Sequence, residues 1–188
     1  MGSSIFKQEE GDSYSRNSSV TSNQSSSSTV LKLDKEPPVL NDHQKSLLRE
    51  SWSSLQDDIA KVGVVTFIRL FETHPDFQET FLPFRGLSNS DMENSLILKA
   101  HALRVMITVD KCLTRIDSPT RLDDLLKGLG HRHISYNVHI DYIDMMGEQF
   151  IKAIRPKFGD AWSSELEVAW TGLFDVMTYH MKRGIIQE

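Results

Sequence analysis

The sequence predicts an all-α fold behind a polar N-terminal tail, and three observations carry that expectation. From Asn41 onward, apolar residues recur every three or four positions, the period that gathers them on one face of a helix. No stretch of useful length alternates apolar and polar residues as a half-buried strand does, and no internal repeat is present. Eleven of the first 38 residues are serine, a composition too polar to offset the entropy of ordering. We therefore expect a disordered Ser-rich tail over residues 1–38, closed by Pro37-Pro38, and one helical domain over residues 39–188. A chain of 188 residues suffices for one sizeable core.

Asn41 and Gln44 have the spacing of an N-cap and its box partner, and open a helix whose stripe is Leu48, Trp52, Leu55 and Ile59. Val64, Phe67, Leu70 and Phe71 form the next stripe, which ends at His74-Pro75 because proline forbids continuation. Phe77, Phe81 and Phe84 crowd a short segment broken by Pro83 and Gly86. A long helix follows, roughly Asp91 to Ile116, with Leu98, His101, Val105, Thr108 or Val109, and Cys112 on one face. Ser118-Pro119-Thr120 opens a shorter helix, proline being suited to a first turn, and Gly128 and Gly130 weaken it and keep it short. A helix from about Val138 to Ile154 turns Ile143, Met146, Phe150 and Ile154 inward and is ended by Arg155-Pro156 and Gly159. The last helix, about Trp162 to Lys182, turns Leu166, Trp170, Leu173 and Met177 inward.

Bulk properties narrow the function. The formal charge is −5, from 21 basic and 26 acidic residues, which argues against a nucleic-acid or anionic-membrane footprint. The single cysteine, Cys112, allows no intramolecular disulfide and points to a reducing, cytoplasmic setting; it is expected to be buried and inert. No run of about 18 apolar residues is present and the N-terminus lacks the apolar core of a secretory signal. Met1-Gly2 raises N-myristoylation, but Phe6 stands where that pattern wants Ser or Thr. Membrane contact is thus expected only if Gly2 is acylated, and then weakly.

The chemistry gathers on two histidines. Leu122, Leu126, Leu129 and His133 fall at steps of four, three and four, so an apolar ridge ends in an imidazole. His131 lies roughly 200° from His133 around the same helix and leaves that face. On the long helix, His101 sits inside an equally apolar stripe. A lone buried histidine is more often a hydrogen-bonded core residue than a ligand. Two of them, framed by aromatics and Val, Leu and Met, invite a flat apolar cofactor with a metal at its centre, and haem fits that need. Zinc fits poorly, since no third or fourth ligand keeps short spacing to either histidine.

The same residues resemble the globin family over residues ~40–184. The likeness rests on Trp52, on the RLFETHP stretch with Phe71 and Pro75, on Phe81, on His101 with Val105, and on LGHRH ending at His133. Within the family the sequence is most similar to neuroglobin and globin X, through Phe67, the 32-residue step from His101 to His133, and the LLKGLGHRH and VAWTGLF stretches. The resemblance implies seven or eight helices in a three-over-three sandwich. It implies haem b (iron protoporphyrin IX), with His133 as proximal ligand and Phe81 against the haem plane. Leu129 and Met146 would then pack under the macrocycle, Val138 at its edge, and Phe67 and Val105 over the distal side. Arg104, at the pocket mouth, would meet a propionate or a bound anion; a solvated helix arginine is the plainer alternative.

For His101 the resemblance leaves two roles. It would hydrogen-bond a bound diatomic ligand, or it would itself ligate iron when no gas is present, as the likeness to neuroglobin favours. The implied function is reversible binding of O2, CO and NO by a bis-histidyl haem. The alternative is a redox role in nitrite reduction, NO scavenging or electron transfer. No fused reductase segment is evident, so turnover would need an external reductase. A haem-free helical interaction module remains a third reading, and association into a homodimer is left open.

Overall fold

The computed structural model describes residues 36–136 and 138–186. The expectations for the tail up to residue 35, Gly2 and Phe6 among them, lie outside the described residues. The described residues form eight α-helices and no strand: α1 (Asp42–Leu55), α2 (Ile59–Thr73), α3 (Pro75–Thr80), α4 (Asn89–Asn94), α5 (Leu96–Arg115), α6 (Pro119–Ile134), α7 (Tyr142–Phe158) and α8 (Ser164–Ile186). Short 3-10 turns at Gln56–Asp58, Leu82–Phe84 and Gly159–Ala161 join some of them. The chief pairings are α6 with α8, α2 with both α5 and α7, α7 with α8, and α1 with α8.

The first boundary follows from the cap. The Asn41 side chain accepts from the Gln44 N–H at 2.8 Å, and the Gln44 side chain accepts from the Asn41 N–H at 2.9 Å, which satisfies two otherwise orphaned donors. The 3-10 turn then separates Leu55 from Ile59, so Ile59 starts α2 rather than closing the stripe of α1. Pro75 is the first residue of α3 and marks the end of α2.

Three expectations are corrected. The single long helix is two, because Ser95 is extended (ψ 119°) and its Oγ accepts from the Leu98 N–H at 3.3 Å, making an N-cap within the predicted run. α7 starts at Tyr142, leaving Val138 in the preceding connection, and runs through Pro156 to Phe158. A proline two residues from the helix end disturbs only its last turn; Gly159, at φ 50°, is what stops it. α6 is a full 16 residues, and Gly130 secures rather than weakens it. A Cβ there would stand 2.0 Å from the Met181 carbonyl oxygen, and one on Gly184 would stand 2.1 Å from that of Lys127. The two glycines let α6 and α8 touch backbone to backbone.

The interior has two parts. The larger is built on Leu48, Trp52, Leu126, Phe150, Trp170 and Leu173. Its tryptophan N–H groups are satisfied: Trp52 donates to Asp110 at 2.9 Å and Trp170 to Ser51 at 3.2 Å. The smaller is rich in phenylalanine: Phe67, Phe71, Phe77 and Phe84, with Met92 and Leu98. Each such side chain taken fully from water contributes about 1.5–3 kcal/mol. Val105 and Met146 pack against both parts.

Candidate functional site

Between the two parts lies a cavity of about 1180 Å³, larger than the usual small-molecule pocket. All nine residues singled out from the sequence line it: Phe67, Phe81, His101, Arg104, Val105, Leu129, His133, Val138 and Met146. His101 enters from α5 and His133 from α6. Leu98, Ala102, Met106 and Val109 anchor the inward face of α5, and Val109, not Thr108, continues that face.

The two imidazoles are held differently. His133 Nδ1 lies 2.8 Å from the Leu129 carbonyl. The carbonyl can only accept, so Nδ1 carries a proton, and in the neutral ring the lone pair is then the one on Nε2. His101 has no hydrogen-bond partner among the described residues and is fixed by packing: its ring is edge-on to Phe67 at 5.0 Å and to Phe81 at 6.1 Å. Burial, with the positive charge of Arg104 and the proximity of His133, lowers its pKa from 6.5 to about 4. At neutral pH it is therefore an uncharged imidazole with an available lone pair.

This shift has a measurable consequence in the haem-free chain. Because the folded pKa lies below the unfolded one, protons favour unfolding. The stability tied to a neutral His101 is complete above pH 6.5 and declines as pH falls toward 4, by about 3 kcal/mol in all. Urea denaturation across that range should show the loss, and His101→Leu should remove most of it.

The donor set tests which group fits. Among the described residues no three His, Cys, Asp or Glu side chains gather to hold a metal. A metal between His101 and His133 must therefore bring most of its own coordination, as a metal in a macrocycle does, and the apolar walls suit such a macrocycle. Arg104 is exposed on the same cavity edge, and no carboxylate among the described residues lies within 4 Å of it.

Several lining residues escaped the sequence reading. Tyr142 packs against Phe77 with ring centroids 4.2 Å apart and donates to Asp76 at 3.3 Å; burial and the Asp76 carboxylate push its pKa up. It stands one turn before Met146, a spacing that could have revealed it. Lys111, Arg132 and Tyr136 also border the cavity, but rim residues share no apolar period. His139 is not among the lining residues and pairs with Asp141 at 3.3 Å. His180 is half-buried, its Nδ1 2.5 Å from Asp123 on α6. Burial raises the Asp123 pKa, but hydrogen bonds from Lys127 and His180 outweigh it and hold the carboxyl below its usual range. Cys112 is fully buried, and burial pushes its thiol up to about 12, so it is unreactive.

Comparison with known proteins agrees with this geometry. The globin family profile matches residues 65–181. Neuroglobin of Tetraodon nigroviridis is 30% identical over 146 residues, covering 77% of this chain and 92% of that protein. Cytoglobin-2 of Danio rerio is 24% identical over 147 residues, covering 77% and 82%. Among solved structures, a hexacoordinated haem protein from an anhydrobiotic tardigrade, crystallised at pH 4, superposes with a TM-score of 0.74. That match has 21% identity and covers 79% of this chain and 96% of the other, a likeness of fold. With two histidines facing one apolar crevice and a family match across most of the helical region, the chain belongs to the globin family of haem-binding proteins and is a neuroglobin-like member of it.

Proposed function

We propose that the chain holds haem b between His133 and His101 and reversibly binds O2, CO and NO. The observation that carries this reading is the pair of imidazoles entering one crevice from α5 and α6, with His133 Nδ1 tied to the Leu129 carbonyl. Haem, when bound, would supply an iron that takes nitrogen ligands and diatomic gases.

The chain's residues divide the remaining work. His133 offers Nε2, and its bond to Leu129 fixes tautomer and ring plane. Leu129, Met146 and Val138 supply apolar wall, and Phe81 a flat face for stacking at small entropic cost. Phe67 and Val105 restrict the space beside His101. Arg104 offers a cation for a propionate carboxylate.

His101 is the built-in competitor. Its lone pair has no protein partner among the described residues, so it would be available to iron when no gas is bound. A gas would then have to compete with it, and apparent affinity would fall by the fraction of molecules in which the site is open.

Visible spectra of the ferric, ferrous and carbonmonoxy forms test the reading. Low-spin, six-coordinate spectra are expected in the ferric and ferrous states, turning five-coordinate in His101→Leu. A high-spin ferrous form in the native chain would reject His101 as a ligand and leave haem binding intact. A folded chain that stays colourless after haem addition would reject both.

A further inference from the structure

Nine large apolar side chains stand open to solvent among the described residues, and four of them lie on α5: Leu96 (80% exposed), Ile97 (57%), Leu103 (40%) and Ile107 (43%). Leu96, Ala100, Leu103 and Ile107 are all exposed and follow one another at steps of four, three and four. That is the spacing of a two-heptad seam between helices. The opposite side of α5 is already spent in the core, through Leu98, Ala102, Met106 and Val109. α5 is thus apolar on both sides, with one side uncovered.

The seam's borders are basic. Lys99, Arg104 and Lys111 flank it, and among the described residues no carboxylate lies within 4 Å of any of them. The one acid of α5, Asp110, accepts from Trp52. A chain of net charge −5 therefore keeps an apolar line edged by cations that no described carboxylate pairs, on a single helix.

We propose that this outer face of α5 is a docking seam for an acidic amphipathic helix of a partner protein. Flanking charges choose the partner of a heptad seam, and cations choose glutamates and aspartates. A second copy of this chain is disfavoured, because pairing α5 with itself brings its cations together. A bilayer is a poorer fit, because Ala100, at the middle of the seam, receives a partner's side chain but inserts little into lipid, and the chain's overall charge opposes an anionic surface. The seam adjoins the crevice: Ile107 and the bordering Arg104 and Lys111 belong to both. A docked helix lies along the crevice edge and braces the helix that carries His101.

The probe is a synthetic three-heptad helix with leucine at both seam positions and glutamate at both flanking positions, titrated onto the full chain with and without haem. Mutual repulsion of its glutamates keeps the probe monomeric. Saturable binding is expected, weakening as salt rises, and at least about tenfold weaker in Leu103→Glu. Lys99→Ala should lessen the salt dependence. Leu103 and Lys99 do not line the crevice, so circular dichroism and the haem spectrum of both variants should be unchanged. The proposal is overturned if the probe binds no better than a scrambled peptide of the same composition, or if Leu103→Glu leaves binding intact. It is overturned equally if sedimentation shows a dimer that Leu103→Glu dissolves, or if the chain prefers phosphatidylserine vesicles through the same residue. The seam stands apart from the haem reading, since the haem-free chain presents it too.

Discussion

Haem is expected to leave the His133→Ala chain at least about 100-fold more readily than the native chain, because loss of a ligand's outer-shell partner alone costs about 10–100-fold. Of the two crevice imidazoles, His133 is the one whose tautomer the fold sets, through the 2.8 Å contact of Nδ1 with the Leu129 carbonyl. His101 has only ring packing to hold it, so His101→Leu should keep its haem and change only its spin state. Transfer of haem to excess apomyoglobin, followed in the visible, measures both variants. Free imidazole should restore colour to His133→Ala, since the cavity left by the side chain admits the missing ring. Equal retention by native and His133→Ala chains would refute the proposed site.

The second large effect lies three residues upstream. Gly130→Ala should destabilise the chain by about 2–3 kcal/mol, although alanine is the better helix former. The new methyl group would meet the Met181 carbonyl oxygen at 2.0 Å and its carbon at 2.8 Å. Backbone cannot rotate away as a side chain can, so α6 and α8 must part. Gly128→Ala is the control in the same helix. Its methyl group would meet only the tip of Arg132, at 3.8 Å, and it should raise stability by about 0.5–1 kcal/mol. Thermal melts of the two variants should therefore move in opposite directions. Separation of α6 from α8 would also displace His133, so Gly130→Ala should lose haem faster than Gly128→Ala.

The contrast between those glycines shows what the sequence can and cannot disclose. Signals that act within one turn were legible: the Asn41–Gln44 box, Pro75 at the start of α3, and the ridge ending in His133. So were nine of the residues that line the cavity, because most of those nine sit on apolar periods that must face an interior. What escaped depends on partners distant in the chain. Gly130 reads as a helix-weakening residue until Met181 is seen against it. Nothing near His180 in the chain announces Asp123, its partner from a different helix. Ser95 is the instructive miss, being a strong N-cap residue inside a run whose apolar period continues across it. The period persisted because Met92 and Leu98 face the same phenylalanine-rich core from two different helices.

That divided interior has a consequence for how the molecule comes apart. Val105 and Met146 are the side chains that pack against both cores, and both of them line the crevice. Yet α2 and α5 run through both cores, so the halves stay joined, and the stretch that leans most on the crevice is the one with the brief helices α3 and α4. In the haem-free chain amide hydrogen exchange should be fastest in α3 and α4 and slowest in the parts of α2 and α5 that the two cores share. Filling the crevice with haem should narrow that difference, making the cofactor as much a keystone as a reagent.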